Sequence, residues 1–132
     1  MTSDQLVQAA LDTRLNAVAP YSNFKVGAAL LTSDGKVYTG CNVENATYGL
    51  SVCAERVALW KALSEGERTF TRIAVASDSA RPASPCGACR QLLWEFAGDI
   101  EVILANPRGQ TESYQLAALF PEAFDGRFLL KA

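Results

Sequence analysis

Histidine is absent from all 132 residues. That absence excludes Ser-His-Asp triads, Cys-His dyads and any metal site with a histidine ligand. Long apolar runs are missing as well. Hydrophobic residues make up 49% of the chain, yet charge interrupts them well before the ~20 residues that a membrane-spanning helix requires. The opening Met1-Thr2-Ser3-Asp4-Gln5 has neither the basic flank nor the apolar stretch of a secretory signal. A cytoplasmic protein with no membrane partner is therefore expected. Nor is there a surplus of positive charge, because 12 Lys+Arg against 14 Asp+Glu leave a formal charge of −2. Domains that grip polynucleotides by neutralising phosphates carry a basic stripe. Here Lys and Arg are scattered among acidic residues, so nucleic acid is not an expected partner.

What is present suits a packed core. The 49% hydrophobic and 20% charged content excludes disorder. The length suits one domain over residues 1–132, with roughly two-thirds of the unfolded surface buried on folding. Ser3 or Asp4 can cap a first helix, whose stripe Val7, Leu11, Leu15, Val18 keeps helical spacing until Pro20. Residues 24–32 and 37–43 read as strands joined by a Ser33-Asp34-Gly35-Lys36 hairpin turn. Residues 42–51 are polar and turn-prone, and a second helix spans about 52–65 before Gly66. A strand at 72–77, a loop at 78–85, a helix at 86–97 and a strand at 100–105 follow. Asn106-Pro107-Arg108-Gly109 then reads as a turn and 115–120 as a short helix. The β-α-β-α-β portion calls for parallel strands joined by helical crossovers after a starting hairpin. The class is α/β, a mixed sheet flanked by helices. Trp60 and Trp94 lie within helices and read as packing residues, and Arg90 as a surface charge or a buried partner for a carboxylate or carbonyl.

The chemistry concentrates on cysteine. Of the four, Cys53 opens the second predicted helix, Cys86 and Cys89 the third, and Cys41 lies in an alternating strand segment. Strand-to-helix turns of parallel α/β units gather at one end of the sheet, where ligands bind. A helix N-terminus favours thiolate over thiol, through its unpaired N–H groups and its dipole. Three thiolates at two helix starts make a tetrahedral zinc site with one position open for water. Zinc in such a site brings the pKa of its water to about 7. Glu55, two residues from Cys53, is placed to carry protons for that water without binding the metal. Three thiolates would leave the ion with a net negative charge, which Arg56 can offset through N–H···S bonds.

These residues also resemble a known family. Cys53-Ala54-Glu55, followed 33 residues after Cys53 by Cys86 within Pro85-Cys86-Gly87-Ala88-Cys89, is similar to the signature of the zinc-dependent nucleoside deaminases. The stretch Pro20-Tyr21-Ser22-Asn23-Phe24-Lys25-Val26-Gly27, the stretch Gly40-Cys41-Asn42-Val43-Glu44-Asn45 and Cys89-Arg90-Gln91 extend the likeness. Together they resemble the small homotetrameric cytidine deaminases of the cytidine/deoxycytidylate deaminase superfamily, over about residues 5–125. The resemblance implies a three-layer α/β/α fold with about five strands and one Zn²⁺ per subunit, held by Cys53, Cys86 and Cys89. Glu55 would shuttle protons, Phe24 pack on the pyrimidine, and Asn42 and Glu44 bond the ribose hydroxyls. Ala54 would offer its backbone N–H to the base. Neighbouring subunits would complete each pocket, with Tyr48 and Phe124 matching residues of that kind. The implied reaction is hydrolytic deamination of cytidine and 2′-deoxycytidine to uridine and 2′-deoxyuridine with release of ammonia, in pyrimidine salvage. A carboxylate at position 44 would repel phosphate, which favours a free nucleoside.

Other readings of the same residues lead elsewhere. All four cysteines could close a structural zinc module, although the twelve-residue spacing of Cys41 and Cys53 departs from its usual close pairs. Cys86-x-x-Cys89 at a helix start also suits redox chemistry, which leaves Cys53 and Glu55 without a purpose. A related zinc deaminase acting on another aminopyrimidine, such as blasticidin S, would share the metal and Glu55 but diverge at the sugar-contacting positions.

Overall fold

The structure, a computed structural model, describes residues 1–130. Its first element is α1 (Ser3–Arg14). Thr2, not Ser3 or Asp4, caps it: the Thr2 hydroxyl accepts the Gln5 N–H at 3.1 Å, and the Gln5 side chain accepts the Thr2 N–H at 2.9 Å. The helix also stops earlier than the stripe toward Pro20 suggests. The N–H groups of Leu15, Asn16 and Ala17 turn to the carbonyls three residues back, and Val18 then pairs with the backbone of Asn42 and Glu44. Leu6 and Ala10 are buried, whereas Leu15 and Val18 are 63% and 50% exposed.

β1 (Val26–Thr32) and β2 (Val37–Cys41) form the expected antiparallel hairpin. α2 (Ala54–Ser64) crosses to β3 (Phe70–Ser77), and α3 (Gly87–Ala97) crosses to β4 (Glu101–Ala105). β5 (Thr111–Gln115) returns antiparallel beside β4, followed by the single turn of α4 (Leu116–Leu119). The sheet order is β2-β1-β3-β4-β5. β2, β3 and β4 run in one direction, as the helical crossovers require, but β1 lies between β2 and β3 and opposes both. Only β3 and β4 are therefore parallel neighbours.

Helices cover both sheet faces, which gives the α/β/α layering. Ala29, Leu31, Ala74, Ala76, Ile103 and Ala105 pack with Leu6 and Ala10 of α1. The alternate residues Ala28, Leu30, Ile73, Val75, Val102 and Leu104 pack with Ala58, Leu59 and Leu93 of the other helices. Because both faces are buried, these strands read as continuous apolar runs rather than as alternations. Burying each Leu, Ile or Val contributes about 1.5–3 kcal/mol.

Two glycines permit the close approach of these layers. A Cβ at Gly27 would stand 2.0 Å from the Ala10 carbonyl oxygen, and one at Gly40 would stand 2.5 Å from that of Ala54. β5 has no counterpart among the strands read from sequence. All five of its residues are exposed, so Thr-Glu-Ser-Tyr-Gln carries no apolar period to betray it. Among the described residues no helix is long and apolar enough to cross a membrane.

Candidate functional site

The strand directions dictate where the cysteines meet. α2 leaves the end of β2 and α3 the end of β3, and those strands run the same way. Both helix starts therefore lie at the same end of the strands. Cys53 and Cys86 occupy the N-cap positions, with extended backbone, and neither sulfur is spent on capping its helix. Cys89 sits one turn into α3 and is fully buried. The sulfurs of Cys53, Cys86 and Cys89 all lie within 4.8 Å of one another, a group able to hold a metal ion, and Cys41 is not in it. The closed four-cysteine module therefore has no support in the geometry.

The charges around this group fit a thiolate-bound cation. The Cys89 S–H donates toward Cys53, which with the nearby Arg56 charge lowers the Cys53 pKa. The same bond, together with burial, pushes Cys89 up. The hydrogen bond to Cys89 and the nearby cysteine charges raise the Arg56 pKa. The Arg56 Nε is buried without a hydrogen-bond partner. Glu55 is only 5% exposed in the first turn of α2. Burial pushes its carboxyl up to about 7, and the Cys53 charge adds to this against the opposing pull of its own N–H, Cys89 and Arg56. A buried carboxyl within reach of its working pH is suited to proton transfer.

Above the sulfurs opens a cavity of about 350 Å³. Cys53, Ala54, Glu55 and Cys86 lie on its wall, as do Phe24, Asn42 and Glu44. The latter three come from the strip where residues 18–24 run beside 42–44. Glu44 accepts the N–H groups of Tyr21 and Ser22 at 3.0 and 3.1 Å and the Ser22 hydroxyl. These donors, the hydroxyl foremost, hold its pKa below the usual glutamate value. The Asn42 amide is used at both ends: Nδ2 donates to the Phe24 carbonyl at 2.8 Å, and Oδ1 accepts the Val26 N–H at 2.9 Å. One amide hydrogen and one oxygen lone pair remain. Asn42 thus shapes the strip that carries Phe24 as well as facing the cavity.

Tyr48 and Phe124 are not on this wall. Tyr48 is 75% exposed, meets Tyr21 edge-on at 6.2 Å between ring centres, and lines a neighbouring recess with Ser22, Glu44 and Ser51. Phe124 is 54% exposed and stacks on Phe128 at 5.4 Å. Its carbonyl accepts from Gln91 at 2.7 Å. Next to it, Asp125 accepts from the Trp94 indole N–H at 2.9 Å and from Arg127. Trp94 therefore has a polar task beside its packing one, while Trp60 is half-exposed on α2 rather than buried.

Ser22 and Asn106 are positioning groups that the sequence does not reveal, and the structure decides between the alternatives for Arg90. Ser22 joins Glu44 to the Phe24 N–H. Arg90 takes the carbonyl alternative, donating to Pro85 O at 2.8 Å, Leu119 O at 2.7 Å and the Ser84 hydroxyl at 2.7 Å. It thereby fixes the segment leading into Cys86. Asn106 is fully buried and donates to the Ser79 and Ala80 carbonyls and to Gln110. Its Oδ1 accepts the N–H groups of Arg108 and Gln110. The turn motif Asn-Pro-x-Gly signals the local bonds at Asn106, but nothing in it signals the reach to residues 79–80.

Residues 1–105 match the family model for the cytidine and deoxycytidylate deaminase zinc-binding region. The chain is 49% identical over 125 residues to a cytidine deaminase of Halalkalibacterium halodurans, covering 94% of this chain and 95% of the relative. It is 47% identical to a cytidine deaminase of Sporosarcina psychrophila, again over 125 residues, covering 94% and 92%. In structure it is similar to a cytidine deaminase from Burkholderia pseudomallei, with a TM-score of 0.91 and 52% identity over 94% of this chain and all of that one.

Proposed function

Since the chain belongs to the cytidine and deoxycytidylate deaminase family, we propose that it hydrolyses cytidine and 2′-deoxycytidine to uridine and 2′-deoxyuridine, releasing ammonia. The observation that carries this reading is one juxtaposition. Three sulfurs lie within 4.8 Å of one another, and two of their residues, Cys53 and Cys86, line a nucleoside-sized cavity together with the buried Glu55 and with Phe24, Asn42 and Glu44.

In this reading Cys53, Cys86 and Cys89 hold the metal, and Arg56 offsets the surplus negative charge of their sulfurs. A zinc ion bound there supplies a Lewis acid that brings the pKa of a water toward about 7. Glu55 takes the proton that this water loses as its oxygen adds to C4 of the base. It delivers that proton to N3, then takes the remaining proton of the added hydroxyl and passes it to the amine, so that the C4–N bond breaks, ammonia leaves and the C4 carbonyl forms. One carboxylate serves each transfer because it is regenerated between them. Phe24 packs on the ring, the Ala54 N–H at the start of α2 bonds the base, and Asn42 and Glu44 bond the sugar. The negative charge held on Glu44 disfavours a phosphate beside it, so a free nucleoside is the substrate.

The same reading makes the working enzyme a homotetramer in which Tyr48 and Phe124 complete pockets of neighbouring subunits. Their exposure, with that of Leu15, Leu50, Leu129 and Leu130, supports such an assembly. Thiol ligands suit the reducing cytoplasm, where cysteine clusters serve metals more often than disulfides. An ultraviolet assay of cytidine conversion, run beside zinc analysis on wild type and Glu55→Gln, tests the proposal. Wild type converts cytidine, while Glu55→Gln keeps its zinc and loses about 10²–10⁴-fold in turnover. A zinc-loaded wild type without activity overturns the function, and near-normal turnover in Glu55→Gln overturns the role of the carboxyl.

A further inference from the structure

We infer that Ser22 is a positioning residue for sugar recognition, acting through Glu44; the inference rests on the reading of Glu44 as a sugar contact. A carboxylate offers about four acceptor positions, two on each oxygen. On Glu44 both positions of Oε1 are taken, by the N–H groups of Tyr21 at 3.0 Å and Ser22 at 3.1 Å. Oε2 receives the Ser22 hydroxyl. One position is left for a ligand.

The Ser22 hydroxyl is itself held in place. Its oxygen accepts the Phe24 N–H at 3.0 Å, which turns its single hydrogen toward Glu44. Asn23, between Ser22 and Phe24, adopts φ +55°, a left-handed conformation that asparagine tolerates better than most residues. On the far side, Asn42 holds the Phe24 carbonyl at 2.8 Å. Ser22 therefore links the residue assigned to the sugar with the residue assigned to the base. Without it, Oε2 loses its tether, while the Asn42 amide still holds the Phe24 segment by its carbonyl.

The test compares cytidine with 2′,3′-dideoxycytidine, which lacks both ring hydroxyls that Glu44 could receive. Ser22→Ala should raise KM for cytidine about tenfold, the scale of one hydrogen bond to a charged group, and change kcat less than about twofold. KM for the dideoxy nucleoside should move less than about twofold, and zinc content should stay unchanged. Ser22→Thr, which keeps the hydroxyl at this exposed position, should return KM for cytidine to within about twofold of wild type. Equal losses for both nucleosides, or no loss for either, overturn the inference. Glu44→Gln run on the same pair separates the two readings. If Glu44→Gln distinguishes the nucleosides and Ser22→Ala does not, Ser22 alone has been misassigned. If Glu44→Gln penalises both nucleosides equally, the sugar reading of Glu44 has failed, and the role of Ser22 falls with it.

Discussion

Gly40 lies directly beneath Ala54: a Cβ added to the strand residue would stand 2.5 Å from the helix carbonyl oxygen and 2.5 Å from the Ala58 nitrogen. Both contacts are to backbone, so no side chain can rotate out of the way. Gly40→Ala should push the start of α2 off the sheet and destabilise the protein by about 1–3 kcal/mol, the scale of an overpacked core. Because Cys53 and Glu55 flank Ala54, metal affinity should fall as well. Denaturant unfolding and metal analysis check both effects, and unchanged stability would show that the layers can separate freely.

Arg56 faces the three sulfurs with a buried, unpartnered Nε. Arg56→Ala should therefore lower activity about 10- to 100-fold, as residues supporting metal ligands do, while reducing zinc content less. Zinc analysis beside the cytidine assay separates the two quantities. Equal loss of both would make Arg56 a structural prop rather than a charge balance.

The Ser22 hydroxyl foremost, with the N–H groups of Ser22 and Tyr21, lowers the pKa of Glu44. A carboxyl whose folded value is depressed contributes stability that is present above its unfolded pKa, about 4.3 for glutamate. That contribution is lost as pH falls through the lower folded value. The carboxylate thus stays charged at neutral and mildly acidic pH. Carbon-13 NMR titration of Glu44 should give a midpoint below the ordinary range, and Ser22→Ala should move it upward.

Asn106 is fully buried and ties the turn after β4 to the carbonyls of Ser79 and Ala80. Asn106→Ala removes these part-buried hydrogen bonds, each worth about 0.5–1.5 kcal/mol net. The loop it releases carries Ala83 and Ser84 on the cavity wall. Chemical denaturation should show the loss of stability, and KM for cytidine should rise with it.

If neighbouring subunits share pockets, two variants defective in different parts of one pocket should complement each other. Phe124→Ala, defective in the part a subunit lends, should lower activity when pure. Refolding it together with Glu55→Gln should then yield activity above the mean of the two pure variants. Activity equal to that mean would place Phe124 outside any shared pocket.

Much of the site was legible because its residues are close in sequence. The Cys-Ala-Glu and Pro-Cys-Gly-Ala-Cys segments each begin a helix, and the N-cap positions of Cys53 and Cys86 agree with the predicted helix starts to within a residue or two. Elements without local signatures were harder to read. β5 is exposed on every residue, so periodicity could not reveal it. Leu15 and Val18 keep helical spacing past the end of α1, although Val18 pairs with residues 42–44 instead. Ser22 and Asn106 were invisible for another reason. Serine and asparagine are ordinary turn residues, and only their distant partners distinguish them.

The sequence by itself determined the chemical inventory: thiols and a carboxyl at two helix starts, no histidine, and apolar runs suited to a sheet covered on both faces. Those properties depend on residues a few positions apart, within reach of a single helical turn or hairpin. Tertiary structure alone decided that β1 lies between β2 and β3, and that Ser22 meets Glu44 while Asn106 meets Ser79. Such pairings depend on burying both sheet faces at once, a condition on the whole chain that no short segment can express.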